Sequence, residues 1–200
     1  MKVKYNSPVI LSFVFGCAVI LILTQTFFPH LTELLFSVPG RGHFDSHSVR
    51  NWINLFTHIL GHSSWDHLTG NLLILLIVGP MLEDIYGSVS LLFMIIITAL
   101  VTGLANIIIS PANLLGASGV VFMMILLASF TNFRKGEIPL TFILVVVFYI
   151  GNEFVNALTP DSVAQFAHII GGFCGSIFGF FRKLPARTGQ GATVSIDSKR

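Results

Sequence analysis

Long apolar runs broken by short polar stretches dominate this chain, and they constrain its fold more than any other feature. Residues 8–28 are uncharged throughout, about the ~20 residues a helix needs to cross the hydrocarbon core of a bilayer. Similar runs follow at 67–82, 88–109, 118–133, 138–156 and 163–181. Backbone in hydrocarbon must satisfy its own hydrogen bonds, so each run reads as a helix. The expected fold is all-α: a polytopic membrane protein with a bundle of six transmembrane helices. Composition agrees, since 10% of the 200 residues are charged against roughly 25% in a soluble domain, and mean hydropathy is +0.84.

Several function classes drop out at this level. Cys17 and Cys174 both lie inside apolar runs, which excludes a disulfide framework and a CxxC metal or redox motif and suits small core side chains. The net charge is +2, with the basic residues divided among loops and tail, so no nucleic-acid partner is expected. The first run is too long for a signal peptide, and residues 24–28 offer no small-x-small cleavage site. It is expected to remain as a span.

Basic residues orient the bundle. With six spans both termini share one side, which collects Lys2, Lys4, Arg134, Lys135, Arg182, Lys183, Arg187, Lys199 and Arg200, while Arg41 and Arg50 fall on the other. The positive-inside rule then makes both termini cytoplasmic. A short chain with no transit peptide points to a plasma membrane of bacterial or archaeal type. Residues 1–183 form the membrane domain, and 184–200, rich in Gly, Ser, Thr and basic residues, form a disordered cytoplasmic tail. Residues 29–51 are too polar to span and make an outer loop. Trp52, Leu55, Phe56, Ile59 and Leu60 then recur at helical spacing, as in a segment lying at the membrane interface.

Gly116-Ala117-Ser118-Gly119 puts a hydroxyl at the start of the fourth run. The first amides of a helix have no intrahelical partner, and with the helix dipole they favour an anion. That run is short: sixteen residues at ~1.5 Å reach about 24 Å, less than the ~30 Å hydrocarbon core. If Arg134 and Lys135 pin its far end, Ser118 lies below the membrane surface, where irregular backbone requires a protein cover or a wet cavity. By itself a GxSG also fits close helix packing, where small residues and serine are common.

Ionisable groups inside membrane segments are functional candidates by default. His168 lies about a turn and a half from the outer end of the sixth run, followed by Gly171, Gly175 and Gly179 at every fourth residue. Those glycines form a groove for a neighbouring helix. If the fourth helix fills it, His168 reaches Ser118 and can take its proton during attack. A histidine that merely ties helices together fits the spacing as well.

His67 and Asn71 are four apart, on one helical face, and both can donate to an oxygen that becomes negative. His58, His62 and His67 with nearby Asp66 also resemble a metal set, although the glutamate of HExxH is missing. For His58 and His62, interfacial groups satisfied by water and loop backbone is the plainer reading. Glu153 reads as a solvated interfacial group. Glu83 and Gly87 read as helix termination with a structural hydrogen bond.

Together, His62-x4-His67-x3-Asn71, Glu83-x3-Gly87, Gly116-x-Ser118-Gly119 and Ala167-His168-x2-Gly171-x3-Gly175 resemble the rhomboid intramembrane serine proteases over residues 56–181. The resemblance implies Ser118 as nucleophile, His168 as general base and acid, and His67, Asn71 and the Ser118 N–H as oxyanion hole. Gly116, Gly119, Phe122, Gly171 and Gly175 would support them. It further implies transmembrane protein substrates, cut near the outer face after sideways entry from the lipid bilayer, and no metal or organic cofactor. Two departures stand out. Phe122 replaces a tyrosine that family members often stack on the histidine, and the family's Trp-Arg pair has no equivalent, since Trp52 precedes Ile53-Asn54. The alternatives are a non-catalytic rhomboid-like protein that binds transmembrane segments and a His-rich metal transporter.

Overall fold

A computed structural model describes residues 4–131, 140–145, 147 and 163–181. Their helices are α1 (Pro8–Thr26), α2 (Leu31–Leu35), α3 (Val49–Thr57), α4 (Trp65–Tyr86), α5 (Ser88–Ile109), α6 (Ser118–Phe130), α7 (Leu140–Val145) and α8 (Val163–Phe181), with a 3-10 turn at His58–Leu60. Three of them, α1, α4 and α5, are long and apolar enough to cross a membrane. No strand occurs among the described residues, only an isolated bridge between Val38 and Leu114. Most of the expected fifth span, the tail 184–200, and Glu153, Arg134 and Lys135 lie outside the described residues.

At the centre stands α6. It is apolar all round and buried on every side, with Val120, Met123, Met124, Leu126 and Leu127 fully enclosed; a helix without a polar stripe belongs inside other protein. Ile10, Cys17 and Leu21 of α1, Leu68, Leu75 and Leu82 of α4, and Leu91, Met94 and Ala99 of α5 share the same apolar core. Facing outward, Phe15, Val19, Leu73, Ile77, Val89 and Phe93 are exposed. Apolar side chains exposed along whole helices mark a lipid-facing surface, and the chain is a membrane protein.

Helix boundaries refine the sequence reading. The start of α4 is two residues earlier than expected, because the Ser64 hydroxyl caps it by accepting from the His67 N–H at 3.1 Å. Its end also moves. Glu83 does not terminate the helix, which continues to Tyr86 until Gly87, at φ 79°, reverses the chain directly into α5. The structural hydrogen bond expected of Glu83 does form: its carboxylate lies at the start of α1, accepting from the Val9 and Ile10 amides at 3.0 Å each and from the Ser88 hydroxyl at 2.7 Å. These are amides that a helix leaves unpaired in its first turn. The described part of α6 closes at Phe130, short of residue 133; thirteen residues span about 20 Å.

Residues 31–62 pack as an irregular layer over the ends of α5 and α6. Val38 and Leu114 exchange two backbone hydrogen bonds (2.8 and 2.9 Å), and the Arg41 amide donates to the Ser110 carbonyl at 2.6 Å. Asn54 donates to the Leu34 and Ser37 carbonyls at 3.2 and 2.8 Å. Trp52 donates to the Ser46 carbonyl at 3.0 Å and meets the Phe44 ring edge-on. The amphipathic pattern expected here is reversed in part. Trp52 and Phe56 face out, while Asn51, Asn54 and His58 are buried beside Leu55. Irregular backbone carries unmatched carbonyls, and buried amide side chains are what matches them.

Candidate active site

The turn before α6 is held from below. Gly116 sits at φ 114°, a conformation strained for any side chain, and a Cβ there would lie 2.8 Å from Cε1 and Nε2 of His67. Its amide donates to the His58 carbonyl at 2.9 Å, and the next amide, Ala117, donates to Nε2 of His62 at 3.4 Å. Ser118 follows as the first residue of α6, whose start no side chain among the described residues caps. The leading amides of the helix therefore keep the anion-binding character of an uncapped N-terminus.

The second wall is α8. Its glycines meet α6 backbone to backbone: a Cβ on Gly171 would collide with Gly119, one on Gly175 with Met123, and one on Gly179 with the Phe130 ring. At this separation the Ala167 carbonyl lies beside Gly119, 3.4 Å from where its Cβ would be. His168 is thereby laid flat on Phe122, ring centroids 4.4 Å apart and planes within 6°. Phe122 is one turn after Ser118, on the same face of α6. The stack expected at this position forms without a tyrosine hydroxyl.

His67 and Asn71 line the α4 side. The Ser63 hydroxyl is 3.2 Å from His67 Nδ1, leaving Nε2 turned to the Gly116 turn, and His67 lies within electrostatic reach of His168. Asn71 is buried, and its amide nitrogen contacts His62 Nε2 at 3.2 Å and the His67 carbonyl at 3.1 Å. Both N–H groups thus have partners in this state, so donation to an oxyanion requires one of them to be shared or redirected.

His58 and His62 overturn the reading of solvated interfacial groups, since each is only 1% exposed. His58 contacts the Asn54 carbonyl through Nδ1 at 3.2 Å and Thr102 through Nε2 at 3.4 Å. Burial pulls its pKa from the ordinary 6.5 down to about 4, against the opposing effect of the Asn54 and Leu55 carbonyls. His62 is likewise pulled to about 4 by burial and then by neighbouring His67, with the Leu60 carbonyl opposing. Both are neutral at pH 7. Their nitrogens point to different partners, and no group of three His, Cys, Asp or Glu among the described residues is arranged to hold a metal ion. The three-histidine metal set is not assembled. Sequence alone leaves His62 among the interfacial histidines, because burial of a loop residue has no periodic trace there.

Comparison with known proteins identifies the family. The family model described as Rhomboid domain matches residues 49–184. The chain is 28% identical to the rhomboid protease GlpG of Haemophilus influenzae over 167 residues, 82% of this chain and 85% of that protein. It is 28% identical to rhomboid-related protein 2 of Mus musculus over 138 residues, 62% of this chain and 46% of that one. Rhomboid-like protein 11, chloroplastic, of Arabidopsis thaliana is 30% identical over 96 residues, 46% of this chain and 34% of the relative. With most of its length inside the matched domain, the chain belongs to the rhomboid family.

Proposed function

We propose that this rhomboid-family protein is an intramembrane serine endopeptidase, with Ser118 as nucleophile and His168 as general base and acid. The observation that carries the reading is the His168 ring stacked 4.4 Å from Phe122, on the face of α6 that begins with Ser118. His168 takes the hydroxyl proton as Ser118 Oγ attacks a peptide carbonyl, then returns it to the departing amine. Water repeats the sequence on the acyl-enzyme. The Ser118 N–H, His67 Nε2 and Asn71 stabilise the oxyanion, and losing one such donor costs roughly 3 kcal/mol of transition-state stabilisation. Gly116 and Gly119 keep the approach open, Phe122 holds the imidazole, and Gly171 and Gly175 set the helix separation.

Substrates under this reading are transmembrane segments of other proteins, and the chain itself supplies all the chemistry. The finer topology is part of the same proposal: six spans within residues 1–183, a cytoplasmic tail at 184–200, both termini cytoplasmic, in a plasma membrane. One observation favours a second reading, a protein that binds transmembrane segments without cutting them: both Asn71 N–H groups already have partners.

The test is cleavage of a type I transmembrane reporter in liposomes by wild type, Ser118→Ala and His168→Ala, with fluorophosphonate labelling beside it. Loss of cleavage and of Ser118 labelling in the variants is expected. Cleavage retained by Ser118→Ala sinks the dyad, and a wild type that neither cleaves nor labels supports the binding protein.

A further inference from the structure

Three parts of the chain converge on His62, a buried side chain with no part in the proton transfers above. Its Nδ1 lies 3.3 Å from the Leu60 carbonyl, which can only accept, so Nδ1 carries the proton. Its Nε2 lies 3.4 Å from the Ala117 backbone N–H, which can only donate, so Nε2 carries the lone pair. Two independent partners thus assign one neutral tautomer. The assignment also orients Asn71: an accepting Nε2 at 3.2 Å requires the amide nitrogen, not Oδ1, on that side, and the His67 carbonyl at 3.1 Å requires the same.

We propose that His62 is a positioning residue, a neutral acceptor that holds the Asn71 carboxamide of α4 in register with the Ala117-Ser118 turn of α6. The proposal rests on the protease reading. One nitrogen joins the side of the site that would stabilise the oxyanion to the turn that carries the nucleophile. Adding a proton to Nε2 breaks both links at once. It opposes the Ala117 N–H, and it turns Asn71 to present Oδ1, an acceptor, so the N–H that would be shared with an oxyanion is turned away from the site. The burial that keeps the ring neutral protects this arrangement. The ionisable group beside the ring is His67, edge-on with centroids 5.0 Å away, and His168 of α8 lies within electrostatic reach of His67; Asp66 and His58 are the other titratable residues of the flanking segments. Helices α1, α5 and α6 bring no acidic or basic side chain.

The experiment compares His62→Leu with His62→Gln in the liposome assay. The Gln carboxamide oxygen can occupy the place of Nε2 and accept; Leu cannot. Expected is a kcat roughly 10- to 100-fold lower for His62→Leu, the scale of a misplaced catalytic group, with KM within about twofold and His62→Gln within about threefold of wild type. Equal loss in both variants, or wild-type kcat for His62→Leu, overturns the proposal. Should His62→Leu fail to fold, 15N NMR of histidine-labelled wild type still decides: an unprotonated Nε2 at neutral pH is expected, and a protonated Nε2 overturns it. A wild type that neither cleaves nor labels removes the protease reading, while the nitrogen spectrum separately accepts or rejects the tautomer.

Discussion

The seam between α6 and α8 and the layer formed by residues 31–62 meet at the same site, yet opposite means hold them. At the seam, Gly171 and Gly175 lie on the backbone of α6, and the contact works because side-chain atoms are absent. In the layer, Asn54 and Trp52 donate to the Leu34, Ser37 and Ser46 carbonyls at helix ends and in loop backbone. The difference follows from the solvent. Lipid receives an apolar side chain as readily as protein does, so regular helices associate through close packing. Irregular backbone buried against them must find explicit polar partners. One region is therefore sensitive to added atoms, and the other to deleted donors.

The strongest way to break this comparison is Gly171→Val. The new side chain has only the Gly119 backbone to enter; overpacking costs about 1–3 kcal/mol or more, and separating the helices unstacks His168 from Phe122. Loss of cleavage with a lowered thermal midpoint by circular dichroism is expected, whereas unchanged melting and cleavage would show that the seam has slack.

Acid probes the polar layer as a whole. The pKa values of His58 and His62 are depressed from 6.5 to about 4 in the fold, so the unfolded chain binds protons more readily than the folded one. Stability should be level above pH 6.5 as far as these two groups decide it, and should fall as pH drops from about 6.5 to about 4. Melting in detergent across that window is the measurement, and a midpoint that rises on acidification would contradict buried neutral histidines.

Asn54→Ala sharpens the contrast with the smallest effect. Two hydrogen bonds disappear, but so does Oδ1, a buried atom without a partner among the described residues. A net loss of about 1 kcal/mol is expected. A loss as large as that of Gly171→Val would mean that the layer, and not the seam, dominates stability.

Some elements were legible in the sequence almost to the residue. Helices α5 and α8 run over the intervals their apolar runs marked, and the four-residue glycine spacing named the face of α8 that meets α6. Elsewhere local pattern pointed the wrong way. Glu83 looked like a helix end because charge usually leaves the membrane there, yet its carboxylate is kept by amides of α1, more than seventy residues earlier. His58 and His62 looked solvated because they belong to a segment expected to lie at the membrane interface, and only the packing of that segment over α5 and α6 buries them.

By itself, the sequence determined that this chain lives in a bilayer, that its spans are helical, where most of them begin, and which side chains are candidates for reactive chemistry. Those follow from hydropathy, helical period and residue type, all properties of neighbouring positions. Tertiary structure alone decided that His168 lies on Phe122, that the Gly116 and Ala117 amides hang from the 58–62 segment, and that Asn71 faces His62. These depend on which surfaces fit together at backbone distance, and shape complementarity between distant segments leaves no periodic trace in either one.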